Sequence, residues 1–170
     1  MNNEVRSFAS HIVIYRQNML VKEQKGGMMF MPGNTSQTRA DIIRQFLPTS
    51  PYVGHLGIQL TGMQPDVATL TLPFADSLIT IGTTMHGGAI ASLIDTAAMV
   101  AAWSDDSVPA DLRGTTVSLT VIYLATAEHE DIQATARVLR RGRNLVYLDV
   151  EVQSLSGKSV AKGLVTYKLG

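Results

Sequence analysis

Cysteine is absent from this 170-residue chain, so no disulfide, thiolate nucleophile, zinc finger or iron–sulfur site can form. Charged residues are scarce, at 16% beside 45% hydrophobic residues, a balance that argues against a disordered chain. Neither sign of charge prevails, with 14 basic side chains against 14 acidic, which speaks against a general nucleic-acid binder. Long apolar runs are lacking too. The longest stretch, Ala89 to Trp103, contains Asp95 and is too short and too polar to span a bilayer. Near the N-terminus Ile12 to Tyr15 is cut off by Arg16, far short of a signal-peptide core, so the expectation is a soluble cytoplasmic protein. His55 and His129 have no partners at metal-ligand spacing, and no metal site is expected. No Gly-x-Ser-x-Gly, Walker or Rossmann glycine pattern occurs.

What is present divides unevenly. Residues 1–36 read as a poorly ordered or extra N-terminal segment, with Met28, Met29 and Met31 as alternative starts before Pro32-Gly33. Residues 37–170 read as a single domain, long enough for a self-sufficient core. A helix is expected to be capped by Ser36 and to run through Phe46, ended by Pro48 and Pro51. Two strands follow, over His55 to Gly62 and Asp66 to Leu72, then a loop from Pro73 to Thr84. Ala89 to Trp103, rich in Ala, Leu and Met and apolar almost all round, predicts a helix buried on most sides. After Gly114 everything reads as four alternating strands, the first carrying Val117, Leu119, Val121 and Tyr123 on one face. Helix and strands segregated in this way predict an α+β protein with an antiparallel sheet.

The chemistry concentrates in three places. Asp95 is the only charged side chain between Asp76 and Asp105, and it lies mid-helix among apolar residues with no Lys or Arg within a helical turn. A lone carboxylate in an apolar setting is costly, which suits a general base or a nucleophile; the alternative is an Asp that accepts hydrogen bonds from Thr96 or the backbone, or that points to solvent. His86-Gly87-Gly88 precedes the helix, where unpaired first-turn amides can hold an anion or an oxyanion; an ordinary loop-to-helix turn is the plainer explanation. Arg137, Arg140, Arg141 and Arg143 cluster after a stretch without Lys or Arg between Arg44 and Arg113, which suggests a local anion site or a solvated turn. Gly87 and Asp95 are eight residues apart, about 12 Å along one helix. They cannot reach one carbonyl group together, so either they are unrelated or a second chain completes the site.

His86-Gly87-Gly88-Ala89, then six residues on Asp95-Thr96-Ala97-Ala98, resembles the signature of the hotdog-fold acyl-CoA thioesterases of the PaaI-like branch, related to 4-hydroxybenzoyl-CoA thioesterase. Thr116 to Leu124, Arg140-Arg141-Gly142-Arg143, and Gly157-Lys158 through Ala161-Lys162-Gly163 are similar as well, so the likeness covers about residues 38–170. The resemblance implies a hotdog fold, an antiparallel sheet wrapped around a long central helix, paired into a homodimer and further into a tetramer. It implies hydrolysis of an acyl-CoA bound between subunits, with no cofactor and no nucleic-acid or membrane partner. In that reading the Gly87 amide polarises the thioester carbonyl, Asp95 of the other chain is base or nucleophile, and Thr116 helps to hold the water. His86, Gly88, Thr80 and Tyr123 would line the substrate site, and the turn Arg140, Arg141, Gly142, Arg143 and Asn144 would hold CoA. Thr80 stands where several relatives have Asn, and Ala125-Thr126 replaces an Arg-Pro after Tyr123-Leu124. The alternatives are a non-catalytic acyl-CoA-binding hotdog protein and a hotdog dehydratase or hydratase.

Overall fold

The computed structural model describes residues 37–170, so the expectations for the N-terminal 36 residues and for a Ser36 cap fall outside it. Helix α1, Arg39–Phe46, is instead capped by Thr38, whose hydroxyl accepts from the Asp41 N–H while the Asp41 carboxylate accepts from the Thr38 N–H. Such a reciprocal box satisfies two amides that a bare helix start leaves unpaired. A 3-10 turn, Leu47–Thr49, leads into a short helix α2, Pro51–Leu56. Here the chain departs from the expected strand over His55 to Gly62. Pro51 sits at the first helical position, where its missing N–H costs nothing, and Gly57 ends the helix in a left-handed conformation with φ 74°. The apolar spacing of Val53 and Leu56 serves that helix, and both are buried.

Strand β1, Gln59–Gln64, then pairs with β2, Val67–Leu72, where Ala68, Leu70 and Leu72 are fully buried as their alternation predicts. The expected loop from Pro73 to Thr84 contains a 3-10 turn, Asp76–Leu78, and a two-stranded ribbon of β3, Ile79–Ile81, with β4, Thr84–Met85. Helix α3, Gly87–Ala102, begins two residues earlier than expected and ends at Trp103. Four strands complete the chain: β5, Gly114–Tyr123; β6, Ile132–Arg141; β7, Leu145–Ser154; and β8, Ser159–Leu169.

The six long strands form one antiparallel sheet in the order β1-β2-β6-β7-β8-β5, and α3 packs against it. Inward residues Val146, Leu148, Val150 and Val152 of β7 meet Leu93, Ile94, Ala97 and Val100 of α3 in one core. Gly163 of β8 permits this close approach, because a methyl group there would collide with the Ile94 side chain. This is an α+β hotdog fold, with the sheet around a long central helix.

Strand β5 differs from expectation in one respect. It forms an edge of the sheet, a bulge between Thr116 and Ser118 interrupts its register, and Val117, Leu119 and Tyr123 remain exposed although they alternate. An uncovered apolar edge strand is unusual for a chain that works alone.

Candidate active site

The N-terminus of α3 is built by His86, whose extended backbone (φ −67°, ψ 134°) turns the chain into the helix. Its imidazole Nδ1 accepts the Gly88 N–H at 2.8 Å, which places the ring proton on Nε2. The His86 carbonyl accepts the Ala89 and Ile90 amides at 2.9 and 3.3 Å. The Gly87 N–H is then the one first-turn amide that meets no acceptor among the described residues. Gly88 cannot carry a side chain without displacing this cap, since a methyl group there would lie 2.8 Å from Nδ1. His86 and Gly88, expected to touch substrate, thus satisfy each other, and Gly87 is left as the donor at the positive end of the helix.

Gly87 borders an open pocket of about 370 Å³ whose lining includes Thr80, Met85, Ile90, Tyr123 and Thr126. Tyr123 Oη donates to the Gly87 carbonyl at 2.8 Å, and its ring lies 3.3 Å from where a methyl group on Gly87 would sit. Thr80, Gly87 and Tyr123, singled out from three separate stretches of sequence, therefore meet at one place. Thr126 lies in the stretch after Tyr123-Leu124 that departs from the relatives' Arg-Pro, whereas Met85 and Ile90 carry no such mark. Each flanks a quoted motif, but nothing in its own residue type marks it.

Asp95 lies two turns further along α3, half-buried, on the open stripe formed by Gly88, Ser92, Asp95 and Met99. Thr116 of β5 donates its hydroxyl hydrogen to Asp95 Oδ1 at 2.6 Å, while Oδ2 makes no hydrogen bond among the described residues. Thr96, the other partner considered, turns away and donates to the Ser92 carbonyl at 2.7 Å. The Asp95 charge is felt at Tyr167. Burial pushes the Tyr167 phenol above its ordinary pKa and Asp95 adds to that rise, against a Trp103 indole N–H that donates to its oxygen at 3.3 Å. A carboxylate with one oxygen held and the other open can take a proton from water or attack a carbonyl.

The arginine turn is not a uniform cluster. Arg141 points inward, pairing with Asp66 at 2.6 Å and Asp105 at 2.9 Å and donating to the Ala102 carbonyl at 2.9 Å. It caps the C-terminal end of α3, so of the expected phosphate-binding arginines it is the one whose guanidinium is already engaged by carboxylates. Arg140 and Arg143 are exposed and pair with no carboxylate among the described residues. Gly142 closes the hairpin by donating to the Leu145 carbonyl at 2.7 Å, and the Asn144 carbonyl accepts the Leu169 amide at 2.8 Å. The helix has 16 residues, so this turn and Gly87 of the same chain are at opposite ends of roughly 24 Å of helix.

Arg141→Ala is therefore expected to lower stability by about 1–3 kcal/mol, between the values for exposed and buried ion pairs because these groups are half-buried. Burial works to raise the Asp105 pKa, but hydrogen bonds from Ser107 and the charges of Arg141 and Arg39 outweigh it and hold the carboxyl below 3.8. A lowered carboxyl pKa stabilises the fold above the unfolded value and ceases to do so as pH falls through the folded one. The gap between wild type and Arg141→Ala in thermal melts should accordingly be wide at neutral pH and narrow below about pH 4. A constant gap would mean that Arg141 acts by packing alone.

Known proteins resemble this chain in sequence and in fold. Residues 82–161 match the thioesterase superfamily. Human acyl-coenzyme A thioesterase 13 is 33% identical over 90 residues, 51% of this chain and 61% of that protein, so the chain spans about three fifths of its length. Among solved structures, a conserved protein of Pseudomonas aeruginosa superposes with a TM-score of 0.66 at 30% identity, over 71% of this chain and 94% of that one. The E. coli PaaI protein from the phenylacetic acid degradation operon superposes with a TM-score of 0.61 at 25% identity, over 68% and 85%. Fold and site together define a hotdog protein with a helix-borne carboxylate and a glycine amide at the helix start. The thioesterase-superfamily match covers a little under half of the chain, and the likeness to these proteins lies in that stretch and in the fold.

Proposed function

We propose that the chain hydrolyses acyl-CoA thioesters to a free carboxylic acid and CoA, within a site completed by a second copy. The observation that carries this is Asp95, held at 2.6 Å by Thr116 of β5, on the same helix whose first amide, Gly87, has no acceptor among the described residues. In one chain these two features are about 12 Å apart along α3. A two-fold dimer brings Gly87 of one copy toward Asp95 of the other, and the exposed apolar edge of β5 supplies a surface for it. Pairs of such dimers would form the expected tetramer.

In this reading the Gly87 N–H donates to the thioester oxygen as charge develops there. Thr116, having given its hydrogen to Asp95, offers its oxygen lone pairs to a water. Asp95 Oδ2 takes a proton from that water as it attacks the carbonyl carbon, or attacks that carbon itself and is freed by water in a second step. The carbon–sulfur bond breaks in either case: on the first route Asp95 hands the proton it took from water to the departing sulfur, and on the second the thiolate leaves and takes a proton from solvent. Tyr123 and Thr80 border the carbonyl end, with His86 and Gly88 fixing the loop behind them. Arg140 and Arg143, with Gly142 and Asn144 shaping the turn, contact the CoA phosphates, and no cofactor takes part.

Incubating the purified chain with aryl, short, medium and long acyl-CoAs and following thiol release tests the proposal. Turnover of at least one class is expected, and none with any class overturns it. Replacing Arg140 and Arg143 together by Ala should raise KM for acyl-CoA and leave an N-acetylcysteamine thioester nearly unaffected, because that analogue has no phosphates. Exposed contacts of this kind weaken with salt, so the wild-type KM should climb with ionic strength.

A further inference from the structure

Tyr52 is an exposed aromatic residue that is nevertheless held in place. It lies on α2, 57% exposed, with its hydroxyl 2.9 Å from Ser92 Oγ on α3. Ser92 donates its only hydroxyl hydrogen to the Gly88 carbonyl at 2.8 Å, so Tyr52 must be the donor to Ser92. The result is a directed chain, Tyr52 to Ser92 to the first turn of α3. Ser92 and Asp95 are three residues apart on that helix, neighbours on its surface about 60° apart around the axis. Ser92 leans toward α2 and Asp95 toward Thr116 of β5. The open stripe of α3 is thus a floor with the Tyr52 ring on one side and β5 on the other.

We infer that Tyr52 is the wall against which the substrate's acyl group lies, and that it sets which acyl groups the Asp95 site accepts. This rests on the thioester-hydrolase site proposed above. An exposed ring gains little stability from burial, yet it is fixed by its one polar atom to the turn that precedes the carboxylate, an arrangement that orders a contact surface. The group attached to the carbonyl carbon at Asp95 has to leave along this floor, and the side facing β5 is taken by Thr116. Tyr52 contacts the non-reacting part of the substrate, so it acts on selectivity and does not take part in proton transfer.

The experiment compares kcat/KM of wild type, Tyr52→Ala, Tyr52→Trp and Tyr52→Phe on a bulky phenyl-substituted acyl-CoA and on butyryl-CoA. Thermal melts confirm folding of each variant. Tyr52→Ala is expected to raise the bulky-to-butyryl ratio, and Tyr52→Trp to lower it, each on the order of tenfold as for other changes of pocket size. Tyr52→Phe keeps the ring and loses the hydrogen bond to Ser92, and its ratio should lie between wild type and Ala. Equal changes on both substrates in the Ala and Trp variants would show a structural role and overturn the inference while leaving the hydrolase reading intact. No turnover of any acyl-CoA by wild type would instead remove the reading on which it rests.

Discussion

Asp95→Asn should lower kcat on the order of 10²-fold or more, with the protein folded as before. The substitution preserves shape, and its amide oxygen can still accept the Thr116 hydroxyl now placed 2.6 Å from Oδ1. What it loses is the open, basic Oδ2. No Lys or Arg pairs with Asp95 among the described residues, so removing the charge leaves no cation stranded. Melting temperature should be unchanged or higher, as expected when a half-buried unpaired charge is neutralised. Asp95→Glu separates the two chemical routes. A carboxylate that activates water can tolerate an extra methylene and retain some turnover, whereas direct attack on a fixed carbonyl demands tighter placement. Near wild-type turnover in the folded Asn variant would end the mechanism and move the chemistry to a group other than Asp95.

The sheet was legible because its strands obey the simplest rule available. Ala68, Leu70 and Leu72, then Ile132, Ala134 and Ala136, then Val146 to Val152 alternate in sequence and are buried in the structure. The helix α3 was legible for the opposite reason, an apolar run with one polar stripe. The failure at His55 to Gly62 has a local cause. A six-residue helix offers less than two turns of periodicity, too few to distinguish from a strand, and only Pro51 and Gly57 mark its ends. At β5 the alternation is genuine, but a single chain leaves it uncovered, since periodicity tells which residues share a face and not what covers them.

At the site, the residue types that carry chemistry were visible and their partners were not. Asp95 and Gly87 stood out by isolation and by a motif, whereas the Thr116–Asp95 bond joins residues 21 apart and depends on how β5 crosses α3. Arg141 could not be told from Arg140 and Arg143, because the sorting is done by the pleat. The bulge between Val138 and Arg140 shifts the register, Arg141 pairs with Val146 on the inward face, and there it meets Asp66 and Asp105. Ser92 read as part of a polar stripe, and its link to Tyr52 required the α2 that the sequence hid.

Gly87→Pro should be as damaging as any change at the site, lowering kcat about 10²–10³-fold, the usual loss for one oxyanion donor. The position is suited to the test. Gly87 is the first residue of α3, where proline is well tolerated because the missing N–H has no helical partner. The preceding residue must be extended before a proline, and His86 already has ψ 134°. Added atoms would press on the Tyr123 ring, 3.3 Å from a methyl at this position, so Gly87→Ala is the control. It imposes the same push and keeps the N–H, and its loss should be far smaller. Equal losses in the two variants would assign the effect to Tyr123 and not to the amide. The two inactive variants then test where the site is assembled. If Gly87 and Asp95 act from different copies, equal amounts of Gly87→Pro and Asp95→Asn, allowed to exchange subunits, form mixed dimers with one intact site. Activity should return to roughly a quarter of the wild-type level. No recovery after exchange has been confirmed by mass would place both groups in a single chain, against the 12 Å or so that separates them on α3.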